Sequence, residues 1–82
     1  MQISIDISYY PLTDKYNEAI ETFLHELNKD TSCEIFTGAM STSISGEYQE
    51  VMSLLTSSML PLMNKYASVF NLRIANACET KT

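Results

Sequence analysis

Residues 2–9, QISIDISY, alternate strictly, with Ile3, Ile5 and Ile7 on one side and Gln2, Ser4, Asp6 and Ser8 on the other. This period of two is the pattern of a strand buried on one face. Tyr10-Pro11 is expected to end it, because proline brings no N–H to a ladder and holds the residue before it extended. Thr13 then reads as a helix N-cap, with Asp14 in the first turn, where the helix dipole favours an anion. Tyr16, Ile20, Phe23, Leu24 and Leu27 recur at helical spacing, and the pattern stops near Asn28-Lys29-Asp30.

The second half repeats the rhythm with a hairpin in the middle. Ser32 to Thr37 reads as a short strand, Gly38-Ala39-Met40 as the connection, and Ser41 to Ser45 as a second strand. In that strand Thr42 and Ile44 alternate against Ser41, Ser43 and Ser45. Ser45-Gly46-Glu47 turns into a second helix with the apolar set Tyr48, Val51, Met52, Leu55, Met59, Leu62 and Met63, continued by Tyr66. Pro61 falls inside this set, so either the helix kinks there or a new segment starts with Pro61 in its first turn. Phe70 to Ala77 reads as the last strand, with Phe70, Leu72 and Ile74 facing one way and Asn71, Arg73 and Ala75 the other.

The element order is β-α-β-β-α-β, an α+β ferredoxin-like sandwich. Right-handed crossovers give an antiparallel sheet of order 4-1-3-2 with two helices on one face. The isoleucine face of the first strand is the covered one. The opposite face carries Ser4, Asp6, Ser8, Ser41, Ser43, Asn71 and Arg73, a surface for water, a polar ligand or a second subunit. Asp6 and Arg73 fall on adjacent strands and suggest a cross-strand ion pair.

At 82 residues the chain has room for a single domain, 1–78, with 79–82 expected to be a frayed tail. A hydrophobic share of 45% with 18% charged residues is globular composition. No apolar run approaches the ~18 residues of a membrane span, and the alternation begins where a signal peptide would lie, so a cytoplasmic protein without direct membrane insertion is expected. Ten acidic against five basic residues give a net charge of −5. The basic residues are scattered, which disfavours nucleic acid as a partner. The resulting field suits a neutral or cationic ligand. Cys33 and Cys78 fall on opposite edge strands, ~14 Å apart by strand spacing, and are read as two free thiols.

The motifs of enzymes and metal sites are missing: both glycines are isolated, and the single histidine, His25, lies outside the apolar stripe of the first helix. Asp14, Glu18 and Glu21 form a carboxylate stripe that reads as a solvated face. Met52, Met59 and Met63 are expected to fill core. Met40 reads as a loop residue packed on a neighbour, with the wall of a ligand pocket as the alternative. A non-catalytic domain with no cofactor is therefore expected. Two segments stand out. Ile7 to Asp14 places aromatics and an acid at a strand-to-helix corner. Gly38 to Glu47 lays hydroxyls along a central strand running into a helix N-terminus. Hydroxyls both donate and accept, which suits an aminopyrimidine, and an aromatic at the rim would stack on its ring.

Together these segments resemble a known family. Ser8-Tyr9-Tyr10-Pro11-Leu12-Thr13-Asp14 is similar to the opening of each repeat of YkoF-type proteins, which bind thiamine and its hydroxymethylpyrimidine moiety. Ser41-Thr42-Ser43-Ile44-Ser45-Gly46, followed by the amphipathic helix from Glu47, resembles the second hallmark of that family and of related single-domain thiamine-binding proteins. The resemblance covers most of the chain. It implies reversible binding of thiamine or hydroxymethylpyrimidine for vitamin salvage or transport, assembly as a homodimer or homotetramer, and association with a transporter. Carried onto this sequence, it implies that Ser41, Thr42 and Ser43 hydrogen-bond the aminopyrimidine. Tyr10 would pack on the ring, and Asp14 or Glu47 would offset the thiazolium charge. The alternative is an oligomeric structural or regulatory domain with no small-molecule ligand.

Overall fold

The computed structural model describes residues 1–29 and 31–77. Its elements are β1 (Gln2–Pro11), α1 (Tyr16–Asn28), β2 (Glu34–Thr37), β3 (Thr42–Glu47), α2 (Tyr48–Lys65) and β4 (Ser68–Ala75). The sheet runs β2-β3-β1-β4, antiparallel throughout, which is the 4-1-3-2 order of the ferredoxin-like fold read from the other edge. The tail at 79–82 and Cys78 lie outside the described residues, whereas Cys33 is a free thiol.

The core follows from the alternation. Ile3, Ile5, Ile7 and Tyr9 of β1 and Ile44 of β3 are buried beneath Ala19, Phe23 and Leu27 of α1 and Val51, Leu55 and Leu62 of α2. The helical stripes lie where the spacing puts them, with exceptions at their edges. Tyr16, Tyr48 and Met63 are exposed rather than packed, so Met52 and Met59 alone of the three helix-two methionines contribute to core. Ile74 shares the covered face with Ile5 but is half exposed, at the end of an edge strand.

Several local expectations are corrected. β1 does not stop before Pro11. Pairing with β3 ends at Ile7, so beyond it β1 is bordered by β4 alone, and Pro11 pairs with Ser68 with no ladder donor missing on its free side. Thr13 is not the cap of α1: its Oγ1 accepts from the Lys15 N–H at 3.1 Å, shaping a turn, and the helix begins at Tyr16. Asp14 therefore precedes the helix, and Glu18 is the acid of its first turn. α2 is one helix with Pro61 inside it. Proline there removes one intrahelical donor at an exposed position, where solvent replaces it. Gly46 belongs to β3 rather than to a turn. Asp6 and Arg73 are register partners but form no ion pair; the Asp6 carboxylate instead accepts from the Ser41 hydroxyl at 2.6 Å.

Candidate functional site

A cavity of about 200 Å³ lies on the helix side of the sheet, at the end where β1 runs out toward α1. Ile7 and Tyr9 of β1 and Thr42 of β3 form its floor, and Asn17, Ile20 and Leu24 of α1 form one wall. The hairpin from Thr37 to Ser41 closes the side next to β3, and the exposed Tyr16 and Met40 stand at the rim. Met40 is 87% exposed, so it walls the pocket and does not pack on a neighbour. The Gly38 N–H donates to the Ser41 carbonyl at 2.9 Å and holds the hairpin closed.

The floor is rigid for an identifiable reason. The Tyr9 ring stacks on Phe70 with centroids 4.5 Å apart and planes 9° apart, and Phe23 meets both at a tilt, at 5.1 and 5.6 Å. Such aromatic contacts add to area burial and fix ring orientation. Tyr9 also shares a hydrogen bond with Ser68 at 3.2 Å, and the Ser68 hydroxyl donates to the Tyr66 carbonyl at 3.0 Å. Tyr66 in turn donates to Glu18 on α1, with the Lys65 ammonium 3.5 Å from the same carboxylate. The cavity wall formed by α1 is thus tied back to the end of α2. The Tyr66 hydroxyl, with help from Lys65, holds the Glu18 carboxyl below its usual range, and the same bond to Glu18 raises the Tyr66 phenol. Lys65 is raised by Tyr66 and Glu18.

The six residues singled out from the sequence do not converge. Thr42 is 5% exposed, and what remains open borders the cavity. Ser41 borders it too, but its hydroxyl is committed to Asp6 on the other side of the sheet. Ser43 and Tyr10 face that opposite side, because neighbours in a strand alternate. Asp14 is exposed in the β1–α1 connection and is not part of the lining. Glu47 sits at the far end of β3, ~17 Å from Thr42 at the usual rise per residue. There it caps α2 through the Gln49 N–H at 2.9 Å and meets the N-terminal ammonium at 3.5 Å. Tyr9 and Asn17 were missed. Counting in twos from Ile3 puts Tyr9, not Tyr10, on the covered face, and Asn17 precedes Ile20 and Leu24 on one helical stripe, so both signals were available.

Cys33 packs beside Gly46 and Val51, where a Cβ built on Gly46 would lie 3.3 Å from its sulfur. His25 is exposed. Among the described residues no group of three His, Cys, Asp or Glu side chains is placed to hold a metal ion. No described helix is long and apolar enough to cross a membrane.

These features define a ferredoxin-like domain with a ring-sized cavity between its sheet and its first helix. No family model matches the chain, and no curated protein matches it in sequence. Its fold is similar to that of several solved structures. Protein SP2199 from Streptococcus pneumoniae superposes with a TM-score of 0.85 at 21% identity, over 96% of this chain and 89% of that one. A candidate thiamine biosynthesis/salvage protein from Thermotoga maritima gives 0.78 at 18% identity, over 90% and 82%. A domain of unknown function, DUF77, from Bacillus cereus gives 0.65 at 18% identity, over 100% and 82%. At such identities the likeness establishes the shared fold, and it is consistent with the YkoF-like resemblance of Ser8–Asp14 and Ser41–Gly46.

Proposed function

We propose that the domain binds a single polar aromatic ring of the aminopyrimidine kind, as in thiamine or hydroxymethylpyrimidine, reversibly and without catalysis. The observation that carries this reading is the cavity itself. An aromatic and aliphatic floor meets the Thr42 hydroxyl and the Asn17 carboxamide, which between them offer both donors and acceptors. The exposed lining is divided about evenly between polar and apolar surface, which suits a polar ring that both packs and hydrogen-bonds. Its volume of about 200 Å³ lies below the ~300–1,000 Å³ of drug-sized pockets and suits one ring rather than two. In thiamine the thiazolium would then project past Tyr16 and Met40 into the field of a chain with net charge −5. The Thermotoga maritima neighbour is named for thiamine biosynthesis/salvage, which supports a thiamine-related role. Within that role we place salvage or transport of the vitamin, with handover to or from a transporter, as the proposed setting.

The test is a titration of the chain with hydroxymethylpyrimidine, thiamine and thiamine phosphate, read by calorimetry and by thermal shift. Binding raises the melting temperature with ligand concentration. Thr42→Val is expected to weaken binding by ~1–3 kcal/mol with the fold retained, because it deletes a hydrogen bond within the same shape. No shift at millimolar ligand would overturn the reading and favour a domain that serves assembly alone.

A further inference from the structure

The sheet forks beside the cavity. β1 and β3 pair from Gln2 and Glu47 as far as Ile7 and Thr42, where their ladder ends. Beyond that point β1 continues along β4, while β3 leads back through Ser41 into the loop that joins it to β2. The hairpin is closed on itself by the Thr37–Thr42 pair and by the Gly38 N–H, which donates to the Ser41 carbonyl at 2.9 Å. Neither of these ties its tip to the rest of the domain. Apolar burial does not tie it either, because Gly38, Ala39 and Met40 are all exposed. Among the described residues, the hydrogen bond that joins residues 38–41 to an element outside the hairpin is the one from the Ser41 hydroxyl to Asp6 Oδ1, at 2.6 Å. It runs diagonally: Asp6 lies opposite Ser43, and Ser41 is the next residue of β3's chain on that face.

We infer that Asp6 is a positioning residue for the cavity, holding the hairpin wall in place from the opposite side of the sheet. Ser41 makes this possible, since it borders the cavity while its hydroxyl turns through the sheet to Asp6. A carboxylate accepts from a hydroxyl more strongly than a neutral oxygen does, so one such bond can hold a loop that nothing else anchors. With the bond made, the wall stands ready beside the Ile7, Tyr9 and Thr42 floor. Without it the tip is free to move away at the fork, and a ligand has to order the loop as it binds, which lowers affinity. Arg73, the register partner of Asp6 on β4, has no part in the tie, because it touches neither the hairpin nor the cavity lining. The effect on affinity rests on the ring-binding reading of the cavity, whereas the effect on the hairpin does not.

Two measurements on the full chain test this: amide hydrogen exchange by NMR, and calorimetry with hydroxymethylpyrimidine, an uncharged ring on which the lost charge of Asp6 has little direct effect. Asp6→Ala and Ser41→Ala should each speed exchange of the Gly38 amide about tenfold, the loss of one hydrogen bond to a charged group. The Ile5 and Ile44 amides, deep in the ladder, should exchange as in the wild type. Each variant should also weaken binding about fivefold or more, and the double variant should be no worse than either single. Asp6→Asn keeps an acceptor in place and should recover most of both losses, and Arg73→Ala should cause neither. An Asp6→Ala chain whose Gly38 exchange is unchanged overturns the proposal. So does equal acceleration at Ile5 and Ile44, which would mean general destabilisation, or an Asp6→Asn chain as impaired as Asp6→Ala. Unaltered ring affinity in Asp6→Ala overturns it too. A wild type that binds no ring, with Gly38 still answering to Asp6, refutes the ring reading and upholds the tie between Asp6 and the hairpin.

Discussion

The two faces of β1 are built from alternate residues of one ten-residue strand, yet they answer to different physics. Ile3, Ile5, Ile7 and Tyr9 are buried under two helices, whereas Ser4, Asp6 and Ser8 are partly open and Tyr10 is half exposed. The covered face carries both stability and the cavity, because a pocket with an aromatic floor has to be carved where the core is. The open face carries hydroxyls that look like ligand-binding groups in the sequence, and several of them are engaged within the sheet, Ser41 with Asp6 and Ser4 with Ser45. A row of hydroxyls on a strand therefore splits in two, and only the half that shares parity with Ile44 faces the site.

The largest expected contrast is in stability. Phe23 is 2% exposed and packs against both Tyr9 and Phe70, so Phe23→Ala should cost ~3–5 kcal/mol in urea unfolding. That is a large share of the ~5–15 kcal/mol a domain has in total. Asn71→Ala, on the open face, should stay within about 0.5 kcal/mol. Comparable losses in the two variants would break the distinction between the faces.

Adjacent tyrosines sharpen the same comparison for binding. Tyr9→Leu removes the stacked floor of the cavity and should reduce affinity for hydroxymethylpyrimidine by about tenfold or more, the loss of one aromatic contact of ~1.5 kcal/mol. Tyr10→Ala, on the far side of the sheet, should bind as the wild type does. The reverse result in calorimetry would move the site to the open face, where the sequence had put its aromatic.

Much of the architecture was legible because it depends on periodicity. The order of elements, the sheet order and the isoleucine face need only the alternation of 2–9 and the helical stripes, and burial enforces both. What the pattern could not show was how neighbours compete for a group. Asp6 has Arg73 beside it on β4, yet a hydroxyl at the end of β3 takes its carboxylate, and nothing in the spacing ranks those partners. Thr13 had the composition of a cap, and it does bind a backbone N–H, but in a turn two residues before the helix starts. Of the candidate site, Thr42 was found because its parity with Ile44 places it inward. Tyr10, Ser43 and Glu47 were grouped with it by nearness in sequence, which on a strand means the opposite face or the far end.

A smaller effect concerns the end of β3 away from the cavity. A methyl group added at Gly46 would sit 3.3 Å from both the Cys33 sulfur and a Val51 methyl, slightly inside ordinary contact. Gly46→Ala should therefore cost about 1 kcal/mol, the low end of overpacking. Part of that cost is offset by the reduced freedom of the unfolded chain. Cys33→Ala removes the sulfur and leaves a Cβ at 3.6 Å, which is ordinary contact. In a double-mutant cycle the pair should then be less destabilised than the sum of the singles. Strict additivity would show that the strand shifts to make room and that Cys33 is not the constraint.

The smallest expected effect is at the tie between α1 and the end of α2, because its groups are on the surface. Glu18 is held below its usual range first by the Tyr66 hydroxyl and then by Lys65. A carboxyl depressed on folding stabilises the fold above its unfolded pKa, and that contribution fades as the pH falls through the folded value. Wild type should therefore be more stable than Glu18→Gln at neutral pH, and the two should converge below the ordinary carboxylate range. Tyr66 is raised by its bond to Glu18, so its share has the opposite sense. It is fully present below the usual tyrosine range and is lost as the pH climbs through the raised value, where wild type and Tyr66→Phe should converge. Both differences should shrink in high salt as far as they are coulombic. The Gly46–Cys33 coupling, which is steric, should not respond to salt at all. Thermal melts of Glu18→Gln across pH at two salt concentrations separate these outcomes, and a difference that persists at acid pH would mean that the carboxylate charge is not what ties α1 to Tyr66.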